Sequence, residues 1–224
     1  MQPLHRLVLL LALVSCQAAS DPGPGGSNHG GQTNLPNCTP QPAGRAGAVK
    51  VLFVGNSLTY TNDLPSRVAA IAADKGNLVE KEALAKPNYA LEDHWTDGCL
   101  QMMIKSGFYD FVVVQQGPSS QADGAKSLLE YGEMIQQLCQ ENDTKLAFFM
   151  VWPAKVNYHT FPGVITNYTN AAYATGAILC PVGYAWKQHM DKTGDFSYYG
   201  PDEFHPSVAG TTVAAEIIYK ALFP

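Results

Sequence analysis

The sequence predicts an α/β fold: a three-layer α/β/α sandwich around a mostly parallel sheet of five strands. From residue 49 onward, short apolar runs alternate with longer amphipathic stretches. The apolar runs are nearly continuous, which is typical of strands that a parallel sheet buries on both faces. Hydrophobic residues make up 46% of the 224 residues and charged residues 15%, a globular balance. Together these features favour a flavodoxin-like sheet covered by helices on both sides.

Each element follows from its own stretch of sequence. The candidate strands are residues 49–54, 78–84, 111–114, 146–151 and 178–182. Amphipathic stretches predict helices over residues 64–75, 99–105, 126–140, 161–175, 184–190 and 208–222. In such sheets ligands bind at the carboxyl ends of the strands, so polar residues that follow strands are the candidates for chemistry.

The N-terminal part of the chain has a different composition. Residues 1–20 have a basic start, an apolar core and small residues after it, the pattern of a signal peptide too short to span a bilayer. Residues 13–16 resemble a bacterial lipobox that would end in a lipidated Cys16, while cleavage after the small residues 18–20 is the alternative. Residues 21–47 are rich in Gly, Pro and Ser and predict a flexible tether, which leaves residues 48–224 as the folded domain. We therefore expect an exported protein, periplasmic or on the cell surface, that a lipid on Cys16 attaches to the membrane.

Charge and cysteine content narrow the function classes. The net charge of -5 and the lack of a Lys/Arg cluster argue against a nucleic-acid partner. Besides Cys16 there are four cysteines, which allow two disulfides in three connectivities in an oxidising compartment. No C-x-x-C spacing or Cys/His cluster indicates zinc. These four cysteines are Cys38, Cys99, Cys139 and Cys180.

Three polar clusters follow or precede predicted elements at the expected active edge. Ser57 follows the first strand after a Gly-Asn pair, where it is either a nucleophile or a plain helix cap. Asp202 and His205 are three residues apart before the last helix, a spacing that lets a carboxylate orient an imidazole, or they simply start that helix. Residues 115–116, two glutamines, end the strongly apolar third strand and offer amides to an oxyanion or to a loop backbone.

Taken together, these motifs resemble the SGNH (GDSL-type) hydrolase family. The G-N-S of residues 55–57 stands where many members carry G-D-S, and Asp202-x-x-His205 matches the last family block. The G-x-N-D motif of the third block is missing, and the Q-G-P-S of residues 116–119 looks more like the Q-G-E-S of the carbohydrate acetylesterase branch. Residues 88–91 stand where the second block normally has G-G-x-L.

The resemblance implies acyl transfer by Ser57, with His205 as the base and Asp202 as its orienting acid, and no metal or organic cofactor. It also implies an oxyanion hole made of the Ser57 N–H, the Gln116 amide and a second-block N–H from Tyr89 or Ala90. Asn88 belongs to that block. Trp152 follows the fourth strand and is a candidate for stacking on a sugar ring. Of the nearby residues 93–95, a solvated helix start is at least as good an interpretation as a place in the site.

We therefore expect a monomeric serine esterase that acts on small acyl esters, chiefly acetyl esters and among them those of carbohydrates. A lipase or thioesterase acting on longer acyl chains is the hydrolase alternative. A surface lipoprotein that binds glycans without catalysis is the alternative from another class. The partners implied are a small-molecule or carbohydrate ester and, through Cys16, a membrane.

Overall fold

The computed structural model describes Cys38 and residues 44–224. The predicted signal peptide, Cys16 with its lipobox and most of the predicted tether lie outside the described residues. Among the described residues, no helix combines the length and the apolar character that crossing a bilayer requires.

A single five-stranded sheet of parallel strands forms the centre of the described part. Its order is β2-β1-β3-β4-β5, the flavodoxin-like order, so the predicted fold class is confirmed. The strands are β1 (Val49–Gly55), β2 (Val79–Ala85), β3 (Phe111–Val114), β4 (Lys145–Phe149) and β5 (Ile178–Cys180). The chain order reverses between β1 and β3, and this is the position where open α/β sheets place their ligands.

Helices cover both faces of the sheet. They are α1 (Ser57–Tyr60), α2 (Leu64–Asp74), α3 (Leu91–Asp97), α4 (Cys99–Lys105), α5 (Ala122–Glu141), α6 (Phe161–Thr175), α7 (Val182–Thr193) and α8 (Val208–Leu222). Helix α2 packs against α8, while α3 and α4 pack against α5, which in turn contacts α6. Short 3-10 turns cover Thr61–Asp63 and Lys155–Thr160.

Burial explains why the central strands were easier to identify than the edge strand. All four residues of β3 are buried, as are four of the five residues of β4, which matches their continuous apolar sequences. Strand β2 lies at an edge, and after the buried Val79 its residues alternate between half-buried and exposed positions as far as Leu84, as expected from its mixed sequence Val-Glu-Lys-Glu. A continuous apolar run therefore indicates a strand most clearly where the sheet is covered on both faces.

Of the two disulfides that four cysteines allow, the described residues form one. Cys38 and Cys99 form a disulfide that ties the N-terminal segment to the start of α4. Cys139 and Cys180 are free thiols, and burial raises the pKa of each to about 12, so both stay protonated. The backbone N–H of Arg45 donates to the Glu80 carboxylate. The described residues of the predicted tether are thus attached to the domain.

Candidate active site

The first component of the site is the turn that joins β1 to α1. Asn56 caps the short helix, because its Oδ1 accepts a hydrogen bond from the N–H of Leu58 at 3.1 Å. Its Nδ2 donates to the carbonyl of Tyr89 at 3.0 Å. This hydrogen bond joins the turn between β1 and α1, which carries the predicted nucleophile (the nucleophile turn), to the loop after β2. Ser57 is the first residue of the helix and stands at the carboxyl edge of the sheet. The helix cap is therefore Asn56 and not Ser57, and the nucleophile interpretation of Ser57 stays a prediction.

Two fully buried side chains hold this turn from below. Gln115 Oε1 accepts hydrogen bonds from the N–H of Asn56 at 3.1 Å and from Thr59 Oγ1 at 2.8 Å. His94 Nε2 donates to the carbonyl of Gly55 at 2.8 Å. A Cβ atom at Gly55 would lie 2.4 Å from both Gln115 Oε1 and Thr59 Oγ1, so this close approach requires glycine.

His94 corrects the expectation of a solvated helix start. Its ring is fully buried in α3, and burial lowers its pKa, so the imidazole is neutral and carries its proton on Nε2. Its Nδ1 is buried without a hydrogen-bond partner among the described residues. The sequence contained no signal for this role, because the partner is a backbone carbonyl 39 residues away.

Asp202 and His205, the predicted acid and base, belong to the loop that precedes α8. Asp202 Oδ1 accepts from the N–H groups of Phe204 at 3.1 Å and His205 at 2.9 Å, and its Oδ2 contacts His205 Nδ1 at 2.5 Å. The hydrogen bond with His205 lowers the pKa of the Asp202 carboxyl, so this group is ionised at neutral pH. His205 Nε2 lies 2.8 Å from Ser57 Oγ. The structure therefore brings together the three residues that the sequence analysis selected as catalytic.

Neighbouring contacts fix the position of this loop. Trp152 Nε1 donates to the carbonyl of Phe204 at 3.0 Å. Lys155 forms an ion pair with Glu203 at 2.5 Å, and its backbone N–H donates to the Glu203 carbonyl at 2.9 Å. Glu203 has a φ of 57°, in the left-handed region, so the loop turns sharply between the acid and the base. These contacts attach the loop that carries Asp202 and His205 to the segment that follows β4.

Trp152 has a different role from the one predicted. It is fully buried and stacks on Trp186 with ring centroids 3.6 Å apart. Its ring is therefore not available to a sugar, and the expectation of substrate stacking at Trp152 is wrong. The reason is packing: β4 carries its apolar run past the strand end, and the indole fills the space against α7.

The proposed oxyanion donors differ in whether their N–H groups already donate a hydrogen bond to another group of the protein. Within the described residues, the N–H of Ser57 has no hydrogen-bond acceptor, as expected for the first residue of a helix. Gln116 Nε2 donates to Ser119 Oγ at 2.6 Å and to the Gly124 carbonyl at 3.1 Å. The N–H of Tyr89 donates to the Lys86 carbonyl at 3.3 Å.

Asn88 is exposed at a φ of 62°, and the described residues provide no acceptor for its N–H. The assignments of Gln116 and of the second-block N–H thus stay predictions. For Gln116 to serve as an oxyanion donor, one of its two present hydrogen bonds must open.

The described residues have the fold that solved SGNH hydrolases share, a parallel sheet with a serine after β1 and an Asp-x-x-His loop before the last helix. Among the described residues, no group of three His, Cys, Asp or Glu side chains is arranged to hold a metal ion.

Solved structures agree with this fold. A protein of Slackia heliotrinireducens described as an SGNH hydrolase superposes with a TM-score of 0.68 at 21% identity, over 78% of this chain and 99% of that one. An acetyl-xylooligosaccharide esterase from Geobacillus superposes with a TM-score of 0.61 at 16% identity, over 80% and 96%. A lipase/acylhydrolase from Enterococcus faecalis reaches 0.62 at 15% identity, over 77% and 94%. No family profile and no curated protein matches the sequence.

Proposed function

We propose that the protein is a serine esterase that hydrolyses short acyl esters. The observation that carries this proposal is a continuous line of two hydrogen bonds, from Ser57 Oγ to His205 Nε2 at 2.8 Å and from His205 Nδ1 to Asp202 Oδ2 at 2.5 Å. A serine within hydrogen-bond reach of an imidazole that a carboxylate orients is the arrangement that activates a hydroxyl as a nucleophile. If Ser57 only began a helix, neither His205 nor Asp202 would need to lie within hydrogen-bond distance in this line.

The geometry supports a two-step acyl transfer. His205 accepts the proton of Ser57 Oγ as this oxygen attacks the ester carbonyl, and it then passes the proton to the departing alkoxide. Asp202 stabilises the imidazolium that forms in between, because its carboxylate is ionised and already bonded to Nδ1. Water then attacks the acyl-enzyme with His205 again as the base, which releases the carboxylic acid and restores Ser57. The N–H of Ser57 has no acceptor among the described residues and can donate to the oxyanion.

The substrate class rests on the similar structures and the sequence motif. The neighbours include an acetyl-xylooligosaccharide esterase and an acetyl xylan esterase, and the Q-G pair of residues 116–117 resembles the acetylesterase branch. We propose acetyl esters, among them those of carbohydrates, as the substrates. Because one similar structure is a lipase/acylhydrolase, esters with longer acyl chains are the second candidate substrates.

Labelling with a fluorophosphonate tests the proposal, because this reagent reacts with activated serines. We expect one label per chain at Ser57, located by peptide mass spectrometry, and no label in Ser57→Ala or His205→Ala. Ser127→Ala, a half-buried serine of α5, is the matched control and should label like wild type. Folded wild-type protein that stays unlabelled would favour the non-catalytic glycan-binding alternative.

Export completes the proposal. It is supported by the signal-peptide pattern of residues 1–20 and by the Cys38–Cys99 disulfide, since disulfides persist in oxidising compartments. If Cys16 is lipidated, Cys16→Ser should move the protein from the membrane fraction to the soluble fraction or block its processing. Unchanged membrane attachment of that variant would exclude the lipobox interpretation.

A further inference from the structure

A groove lies next to the catalytic histidine, between the loop after β3 and the loop after β4. Its volume is about 580 Å³. The apolar part of its lining comes from Pro118, Pro153 and Phe204. The polar part includes Ser120, Asn157 and His159. The sequence analysis did not select any of these as site residues.

The groove adjoins the side of the site from which the alcohol must leave. Phe204, which forms one wall, contacts the His205 ring edge-on with centroids 5.1 Å apart. His205 is the group that delivers a proton to the departing alkoxide, so the alcohol half of the ester has to lie close to its ring. The Lys155–Glu203 ion pair links the 3-10 turn that carries Asn157 to the His205 loop. The groove wall and the base are therefore held in one unit.

Free polar groups distinguish this groove from an acyl tunnel. Within residues 44–224, the side chains of Ser120, Asn157 and His159 have no hydrogen-bond partner in the protein. Asn157 and His159 are exposed, and Ser120 is half-buried. Apolar surface next to unpaired donors and acceptors suits a ring that has apolar faces and hydroxyl edges. A long acyl chain would leave these polar groups facing hydrocarbon, at a cost in free energy.

We propose that this groove binds the alcohol half of the ester and that its ligand is a hydroxylated ring such as a sugar residue. Phe204 and Pro118, both half-buried, support the face of the ring, while Asn157 and His159 bind its hydroxyl groups. This inference rests on the proposed esterase function and adds to it the residues that select the alcohol. Asn157 and His159 belong to the 3-10 turn Lys155–Thr160, so the selectivity depends on a segment outside the family motifs.

The test compares two acetyl esters that differ only in the hydroxyl groups of the alcohol. The esters are 6-O-acetylglucose and tetrahydropyran-2-ylmethyl acetate, and acetate release gives kcat/KM for each. We expect wild type to prefer acetylglucose. We expect Asn157→Ala and His159→Ala each to lower the ratio of the two kcat/KM values by about tenfold, the effect of one lost hydrogen bond to substrate. Val156→Ala is the matched control: the side chain belongs to the same turn, is 80% exposed and does not line the groove, so the ratio should stay at the wild-type value.

The possible results separate this inference from the proposed function. Each variant is first labelled with the fluorophosphonate at Ser57, which reports on the catalytic centre alone. If labelling is retained and the ratio does not change, the groove does not bind the alcohol hydroxyls and the inference is wrong. It is equally wrong if labelled wild type releases no acetate from acetylglucose. A changed preference between acetyl and butyryl esters of one alcohol, with the ratio unchanged, would make the groove an acyl pocket instead. Absence of labelling in wild type would reject the esterase function itself.

Discussion

Replacing Gln115 by alanine should affect stability and turnover together, because this side chain holds the nucleophile turn. Its Oε1 accepts from the N–H of Asn56 and from Thr59 Oγ1, and its Nε2 donates to the carbonyl of Gln116 at 2.6 Å. That carbonyl keeps a second donor, the hydroxyl of Tyr168 at 2.8 Å, so the substitution leaves only the two donors unpaired. An unpaired buried donor costs about 1–3 kcal/mol. We therefore expect the free energy of unfolding to fall by about 2–6 kcal/mol.

Turnover should fall because the position of Ser57 relative to His205 depends on the turn. A displacement of about 1 Å costs about a hundredfold in rate, so we expect kcat of Gln115→Ala to drop by about that factor while KM changes less. Chemical denaturation and ester hydrolysis measure the two effects. Gln137→Ala, which removes an exposed amide bonded to Glu141, is the control and should stay near wild type in both.

A double-mutant cycle tests the reasoning directly. Thr59→Val removes the hydroxyl that Gln115 accepts, so the double variant Gln115→Ala/Thr59→Val leaves one fewer donor unpaired than Gln115→Ala alone. Its loss of stability should therefore be smaller than the sum of the two single losses by about 1 kcal/mol or more. Strictly additive losses, or a wild-type kcat in Gln115→Ala, would refute the idea that this amide positions the turn.

Three further substitutions test other parts of the site. Asp202→Asn should lower kcat by about three to four orders of magnitude with little change in KM, because the imidazolium loses its carboxylate; wild-type turnover would mean that another acid orients His205. Gln116→Ala should lower kcat by about two to three orders of magnitude if this amide serves the oxyanion, whereas unchanged kinetics would leave backbone N–H groups as the donors. His94 is buried with a lowered pKa, so the unfolded chain binds the proton more readily and stability should fall as the pH drops below about 6.5. His94→Gln keeps a donor for the Gly55 carbonyl but does not titrate. In urea denaturation, its free energy of unfolding should therefore fall less between pH 7.5 and pH 5.5 than that of wild type. An equal fall in both proteins would contradict this role of His94.

The elements that the sequence located well are those whose signal is local. Strand β3 and helices α4, α6 and α8 have the predicted bounds, because a buried strand reads as a continuous apolar run and an amphipathic helix repeats its apolar residues within a few positions. Helix α5 begins at Ala122, four residues earlier than predicted, since its first turn, Ala-Asp-Gly-Ala, has no large apolar residue and lies close to the loop at Ser119. Helix α3 was missed because only Leu91 and His94 of its seven residues are buried.

The sequence by itself determined the five strands, six of the helices and the three candidate catalytic residues. Each of these depends on a short motif beside a strong element. Only the tertiary structure decided which atoms meet. The contact between Ser57 and His205 spans 148 positions in the chain, and Cys38 finds Cys99 across 61.

Side-chain direction was also decided by the tertiary structure. Gln115 lies beneath the nucleophile turn while its neighbour Gln116 is bonded to Ser119 and Gly124, because consecutive side chains at a strand end point to different sides. Trp152 is an aromatic residue at the active edge by sequence, yet it is buried against Trp186. Burial and direction at such positions depend on packing partners far away in the chain, which local sequence patterns do not encode.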